Sequence, residues 1–192
     1  MTNTLLGLVR HGQTDWNAQL RLQGSSDIPL NETGIQQAKS AAGKINPTDW
    51  DVLAASPLSR ARDTAEIISQ KISLPVVILP ELIERSFGEA EGLSHSQWRA
   101  KFESKEPILG LESIEELEHR ANLLLSGITT EFDGLRVLAV SHGSLIRKLI
   151  KIASQGELPL AEDRLENLSM NRLLHQDGNW SVSDYSVQSL AG

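Results

Sequence analysis

Leu5-Leu-Gly-Leu-Val-Arg-His-Gly12 is an apolar run that stops at an arginine, a histidine and a glycine. Leu5 to Val9 predict a short strand buried on both faces. Three further runs follow the same scheme. Val52 to Ala55 precede Ser56-Pro-Leu-Ser-Arg60, and Val76 to Leu79, bracketed by Pro75 and Pro80, precede Glu81 and Glu84. Val137 to Val140 precede Ser141-His-Gly143. Helical patterns fill the gaps. Asn31 or Thr33 can cap a helix with Ile35, Ala38, Ala42 and Ile45 on one face. Ser56-Pro57 predicts an N-cap with proline at the first helical position, ahead of Ala61, Ala65, Ile68 and Ile72. Ser113-Ile-Glu-Glu116 predicts a capping box for a helix that buries Ile114, Leu117, Ala121, Leu124 and Ile128. Ser144 to Ala153 predict another helix, and residues 168–186 one or two strands around Asp177-Gly-Asn179.

Strands alternating with helices predict an α/β layer fold with a largely parallel sheet. No repeat or low-complexity linker divides the chain, so residues 1–192 are expected to form one domain. The polar stretch from about Gly92 to Gly110 is expected to be an irregular excursion over one face of the sheet. In such sheets ligands bind beyond the carboxyl ends of the strands. Two histidines, two arginines and a carboxylate therefore arrive at one edge, a set that suits an anion.

Composition narrows the chemistry. The 192 residues are 40% apolar, enough for a core of their own. Lys plus Arg number 18 against 25 Asp plus Glu, a net charge of −7, and the pI is about 5.2. That balance disfavours nucleic acid and anionic membrane as partners. With no cysteine, disulfides, Cys-ligated metal and a thiol nucleophile are excluded. The N-terminal apolar stretch ends at Val9 and is too short for a signal peptide or membrane span, so a cytoplasmic protein is expected. Between Glu81 and Arg120 ten acidic side chains face five basic ones, whereas residues 1–30 balance at two of each. An acidic lid of that kind is expected to disfavour highly charged substrates.

Phosphoryl transfer needs cations on the non-bridging oxygens, an in-line nucleophile and an acid for the leaving oxygen. Arg10 and Arg60 offer forked, permanent charges. A neutral imidazole can attack phosphorus, and His11, beside Arg10 and a glycine, is the better placed of the two histidines. His142, if protonated, would donate to the phosphoryl oxygens. Glu84 must carry a proton to act as acid, which burial beside a dianion favours, and can then activate water.

Leu8-Val-Arg-His-Gly-Gln-Thr-Asp-Trp-Asn17 resembles the signature of the histidine phosphatase superfamily, the phosphoglycerate mutase-like enzymes. The resemblance continues, in order, through Leu22-Gln-Gly-Ser-Ser-Asp-Ile-Pro-Leu30 and Gly34-Ile-Gln-Gln-Ala38. It then covers Ser56-Pro-Leu-Ser-Arg-Ala-Arg-Asp-Thr-Ala65, Leu82-Ile-Glu-Arg-Ser-Phe-Gly-Glu-Ala-Glu-Gly92 and Val140-Ser-His-Gly143. It implies a three-layer α/β/α, phosphoglycerate mutase-like fold with a mostly parallel central sheet and a lid at about residues 86–112. It implies His11 as the phosphorylated nucleophile, Arg10, Arg60 and His142 around the phosphate, and Glu84 as proton donor. It adds Asn17, the Gln23-Gly24 loop and the backbone of Gly143 as phosphate contacts. No metal or cofactor is expected, the partner is a small phosphorylated substrate, and a homodimer is a family-level expectation.

A phosphatase is expected over a mutase. The mutases that resemble this pattern usually carry a longer insertion after the acid block, and a glycine-tryptophan pair where this chain has Gly24-Ser25. Gly110-Leu-Glu-Ser113 approximates the Gly-Gly-Glu-Ser of many phosphatases, while Arg85 matches a basic position that mutases use. A non-catalytic phospho-ligand sensor would be expected to lack His11 or Glu84, and both are present.

Simpler roles account for the remaining polar residues. Arg62 falls on another helix face from Arg60, and Glu81 is the lesser candidate for the acid. His95, His119 and His175 are expected to be solvated or structural, and Glu115, Glu116 and Glu118 to form a solvated helix face. Trp98 and Phe102, at i and i+4, are most simply the buried face of a short helix, with substrate contact as the alternative reading. Gly34-Ile-Gln-Gln-Ala-Lys-Ser40 lacks the second glycine of a phosphate-binding loop.

Overall fold

The computed structural model describes residues 3–192. Its elements are β1 (Thr4–Arg10), α1 (Asp15–Ala18), α2 (Glu32–Lys44), β2 (Val52–Ala55), α3 (Ser59–Ile72) and β3 (Val76–Ile78). They continue with α4 (His95–Glu103), α5 (Ile114–Glu131), β4 (Arg136–Ser141), α6 (Gly143–Ala153), β5 (Met170–Gln176) and β6 (Asn179–Asp184). The strand order is β3-β2-β4-β1-β5-β6. β3, β2, β4 and β1 pair in parallel, and β5 and β6 add an antiparallel edge. This is the three-layer, mostly parallel α/β fold that the sequence predicts.

The period-two alternation of the strands divides the core between the two faces. Leu6, Leu8, Val137 and Ala139 pack against Leu117, Leu124 and Ile128 of α5 and Leu145 and Leu149 of α6. Val9, Leu53, Leu138 and Val140 pack instead against Ala41 and Ala42 of α2 and Ala61, Ala65 and Ile68 of α3. Each fully buried leucine or isoleucine stabilises the fold by roughly 1.5–3 kcal/mol relative to exposure. Gly7 faces Trp50, and a Cβ there would lie 2.2 Å from the indole, so a glycine lets the ring lie flat on β1.

Two helix starts behave as their sequences dictate. Asn31 caps α2 by accepting from Gly34 N, and Ser113 opens α5 in a reciprocal capping box with Glu116. The start of α3 differs from expectation. The helix begins at Ser59, Leu58 occupies the N-cap position, and no side chain caps it. Ser56 lies two residues before that N-cap, and its hydroxyl oxygen accepts from Leu58 N and from His142 Nε2, so it belongs to the site.

The excursion also differs. Instead of being irregular throughout, it contains α4, closed by a capping box between Ser94 and Gln97. The isolated bridge Phe87–Leu111 joins its two ends. Contrary to the expectation of a buried helix face, α4 buries no residue, and Phe102 is 63% exposed. Ile114 is likewise exposed, because it occupies the first turn of α5 beyond the edge of the core. Among the described residues, no helix is long and apolar enough to cross a membrane.

Candidate active site

The residues that end β1, β2 and β4 meet at one edge of the sheet. His11 follows β1, and its backbone N–H donates to Ser141 O at 3.0 Å. Gly12 N donates to Thr64 Oγ1 at 3.0 Å, tying the turn to α3. A Cβ at Gly12 would lie 2.6 Å from Gly34 O, so this glycine permits close approach of the turn to α2. His142 follows β4 and is the N-cap residue of α6, and its ring centroid lies 5.1 Å from that of His11.

Hydrogen bonds fix the tautomer of each histidine. His11 Nδ1 lies 2.7 Å from Gly12 O, which can only accept, so Nδ1 carries the proton and Nε2 keeps its lone pair. Burial holds His11 well below the usual histidine pKa, with the charges of Arg60 and Arg10 adding to the effect. The neutral, nucleophilic form is therefore favoured. His142 Nδ1 faces Arg60 Nε at 3.2 Å, so that nitrogen accepts and Nε2 donates to Ser56 Oγ at 2.8 Å. Burial, then Arg60, His11 and Arg10, also lower His142 well below its usual value. His142 is thus a neutral ring, so the donation that a protonated ring would make does not apply, and its one N–H is given to Ser56 Oγ.

Arg60 is fully buried, and burial lowers it to about 10, which leaves it charged at neutral pH. Its terminal nitrogens donate to Gly24 O at 2.7 Å and Ser26 O at 2.8 Å. With its amide oriented to satisfy both ends, Gln23 donates to Thr14 Oγ1 at 2.6 Å and accepts from Arg60 Nε at 2.7 Å. The Gln23-Gly24 loop thus aligns an arginine. Arg10 differs: its Nε is buried and has no acceptor among the described residues. Such a donor costs about 1–3 kcal/mol unpaired, so an orphan beside two histidines points to an anion.

Glu84 is buried at the edge where the strands end, and Glu81 is exposed. Its Oε2 accepts from Ser144 N at 3.0 Å, and its Oε1 accepts from Arg85 N at 2.8 Å and Leu145 N at 3.2 Å. The carboxyl therefore caps the first turn of α6. A Cβ at Gly143 would lie 3.6 Å from Arg10 Nε and 3.9 Å from Glu84 Oε2, so all three converge. Asn17 is the reciprocal partner of Thr14 in the cap of α1, and Asn167 Nδ2 links its side chain to His11 O.

A cleft of about 950 Å³ opens above this floor, reached by Arg10, Asn17, Gln23, Glu84 and Gly143. His11, Arg60 and His142 lie beneath its lining, each under 4% exposed. All nine expected residues thus come together. Arg62 stays on the surface, pairing with Asp63 and Glu66. Further residues shape the cleft beside the nine. His95 and Trp98 of α4 line it; His95 is exposed, as expected, and Trp98 lies where the alternative, substrate-contact reading puts it. Arg21, Arg147 and Arg164 ring the mouth, and apart from Glu84 no acid of the 81–120 segment does, so the lid's negative charge faces elsewhere. Asn167 carries no motif and arrives through β5 pairing with β1, whereas Ser56, which the sequence marks as a helix cap, arrives in the turn after β2.

The comparisons with known proteins agree with this geometry. The family model of the histidine phosphatase superfamily (branch 1) matches residues 6–188. The chain belongs to that superfamily. Relatives of this branch-1 chain include "Uncharacterized phosphatase PhoE" of Bacillus subtilis (strain 168), 37% identical over 186 residues, 97% of this chain and 96% of the relative. "Probable phosphoglycerate mutase GpmB" of Photorhabdus laumondii is 33% identical over 196 residues, 95% of this chain and 90% of that one. Among solved structures, phosphoserine phosphatase from Entamoeba histolytica, in complex with 3-phosphoglyceric acid, superposes with a TM-score of 0.83. It is 27% identical, with 98% of this chain and 99% of that chain covered. Membership supports a hydrolase of this branch.

Proposed function

We propose that the chain hydrolyses small phosphomonoesters through a phosphohistidine at His11, without a metal ion. The observation that carries this reading is the state of His11. Its Nδ1–H is held by Gly12 O, its ring is kept neutral by burial and by the charges of Arg60 and Arg10, and Arg10 itself keeps a buried, unpaired Nε donor.

In this reading His11 Nε2 attacks phosphorus while Glu84 gives its proton to the departing ester oxygen, so the P–O bond breaks as N–P forms. Arg10, Arg60, Asn17, the Gln23-Gly24 loop and Gly143 bind the phosphoryl oxygens, and His142 lies beneath them, held between Arg60 and Ser56. The Glu84 carboxylate then takes a proton from water, which attacks the phosphohistidine, releasing phosphate and restoring His11. The arginines supply the charge that a metal would otherwise supply.

Hydrolysis is favoured over mutase chemistry by Arg85, the basic position shared with mutases. Its Nε donates to Glu112 O at 2.9 Å and its guanidinium lies 5.3 Å from the Phe87 ring centroid, outside the cleft lining. A phosphate-release screen over small phosphomonoesters, run beside a phosphoglycerate isomerisation assay, tests the reading. Phosphate release unaffected by EDTA supports it. Isomerisation with little phosphate release contradicts it.

A further inference from the structure

Arg120, on the second turn of α5, lies outside the cleft lining, yet its guanidinium is committed to the segment that carries Glu84 and to Glu112. Nη1 donates to Glu81 O at 2.9 Å and Ile83 O at 2.7 Å, and Nη2 reaches Glu84 O at 3.5 Å. Nε and Nη2 also grip both oxygens of Glu112, at 2.9 Å each. Glu112 in turn holds the far side of the same segment. Its N–H donates to Ser86 O at 2.9 Å, its Oε2 accepts from Ser86 N at 3.3 Å, and its carbonyl accepts from Arg85 Nε.

The backbone on both sides of Glu84 is therefore tied to one ion pair. That pair is 19% and 16% exposed, so solvent screens it less than a surface pair. Its base does not move freely: Ser113 and Glu116 cap α5, and Leu117 and Ala121 are anchored in the core. Only a fork with five donors can bind a carboxylate and two or three carbonyls at once, so a lysine does not replace it.

We infer that the Arg120–Glu112 pair is a positioning device that sets the reach of the Glu84 carboxyl toward the leaving oxygen. This rests on the assignment of Glu84 as the acid. An acid must come within about 2.6–3.2 Å of the atom it protonates, so slack in residues 81–86 weakens protonation while the phosphate pocket stays intact.

The test is leaving-group dependence. An alkyl phosphate needs an acid, whereas p-nitrophenolate departs without one. kcat/KM reports only steps through leaving-group departure, so later hydrolysis of the phosphoenzyme does not enter. Arg120→Gln is expected to lower kcat/KM about tenfold or more on the alkyl phosphate and less than about threefold on p-nitrophenyl phosphate. Glu84→Gln is the benchmark and must show the same selectivity at greater size. Glu112→Gln, nearly isosteric, must show it at smaller size, and it carries the test should Arg120→Gln not fold. Equal losses on both substrates in Arg120→Gln or Glu112→Gln, with Glu84→Gln selective, overturn the inference alone. Equal losses in Glu84→Gln overturn the acid assignment, and the inference with it.

Discussion

Arg60 donates from Nε to His142 Nδ1 at 3.2 Å, and both side chains are fully buried. That single contact fixes the histidine's tautomer and places a permanent charge beneath the phosphate pocket. Replacing Arg60 by lysine keeps a charge but leaves Gly24 O, Ser26 O and His142 Nδ1 short of donors. Steady-state kinetics of Arg60→Lys on a phosphomonoester are expected to show a fall in kcat of about a hundredfold or more. A loss confined to KM would mean that the residue binds substrate and transition state alike.

His11 and His142 are both held neutral by burial, and the sign of the consequence follows directly. A base whose folded pKa is depressed binds fewer protons folded than unfolded, so it contributes stability above its unfolded pKa. That stability is lost as pH falls through about 6.5, by about 1.4 kcal/mol per pH unit for each histidine, until the folded pKa is reached. Denaturant titrations from pH 8 to 5 are expected to show this slope. The double variant His11→Asn, His142→Asn should show a shallower one; an unchanged slope contradicts the assignment.

Glu91 joins the phosphate loop to the base of the lid. It accepts from Ser25 N at 2.9 Å, Ser26 N at 2.7 Å and Phe87 N at 3.1 Å, and from both serine hydroxyls. The same loop holds Arg60 through the carbonyls of Gly24 and Ser26. Glu91→Ala is expected to destabilise the protein by about 1–3 kcal/mol and to weaken inhibition by inorganic phosphate. Its kcat/KM should fall equally for good and poor leaving groups, unlike that of Arg120→Gln.

Gly34 packs its α-carbon against the turn that follows His11, and a Cβ there would lie 2.1 Å from Gln13 O. The obstacle is backbone, so it cannot swing aside. Gly34→Ala is expected to cost about 1–3 kcal/mol, despite alanine's better helix propensity, and to lower Tm by several degrees. A thermal melt that rises instead contradicts this packing.

Much of this was legible from residues alone. Leu5–Val9, Val52–Ala55 and Val137–Val140 are strands because each is a short apolar run ended by polar residues, and the sheet's carboxyl edge follows from their order. Ser113 and Glu116 announce α5 by local capping chemistry. Ser56-Pro57 does not cap α3 because the helix starts at Ser59, which leaves the Ser56 hydroxyl to Leu58 N and His142. Trp98 and Phe102 have helical spacing, but spacing shows which residues share a face and not what that face meets. Asn167 and Arg120 carry no motif. Their roles depend on distant pairings, β5 with β1 and α5 with the Glu84 segment, that no local pattern encodes.

The central claim is that His11 Nε2 carries the phosphoryl group. Rapid mixing with a radiolabelled phosphomonoester, followed by quenching and mapping of the label, measures this directly. The label is expected on His11, labile in acid and absent from His11→Asn, which should also lose nearly all phosphate release. An acid-stable label, or a His11→Asn variant that still becomes labelled and turns over, contradicts it.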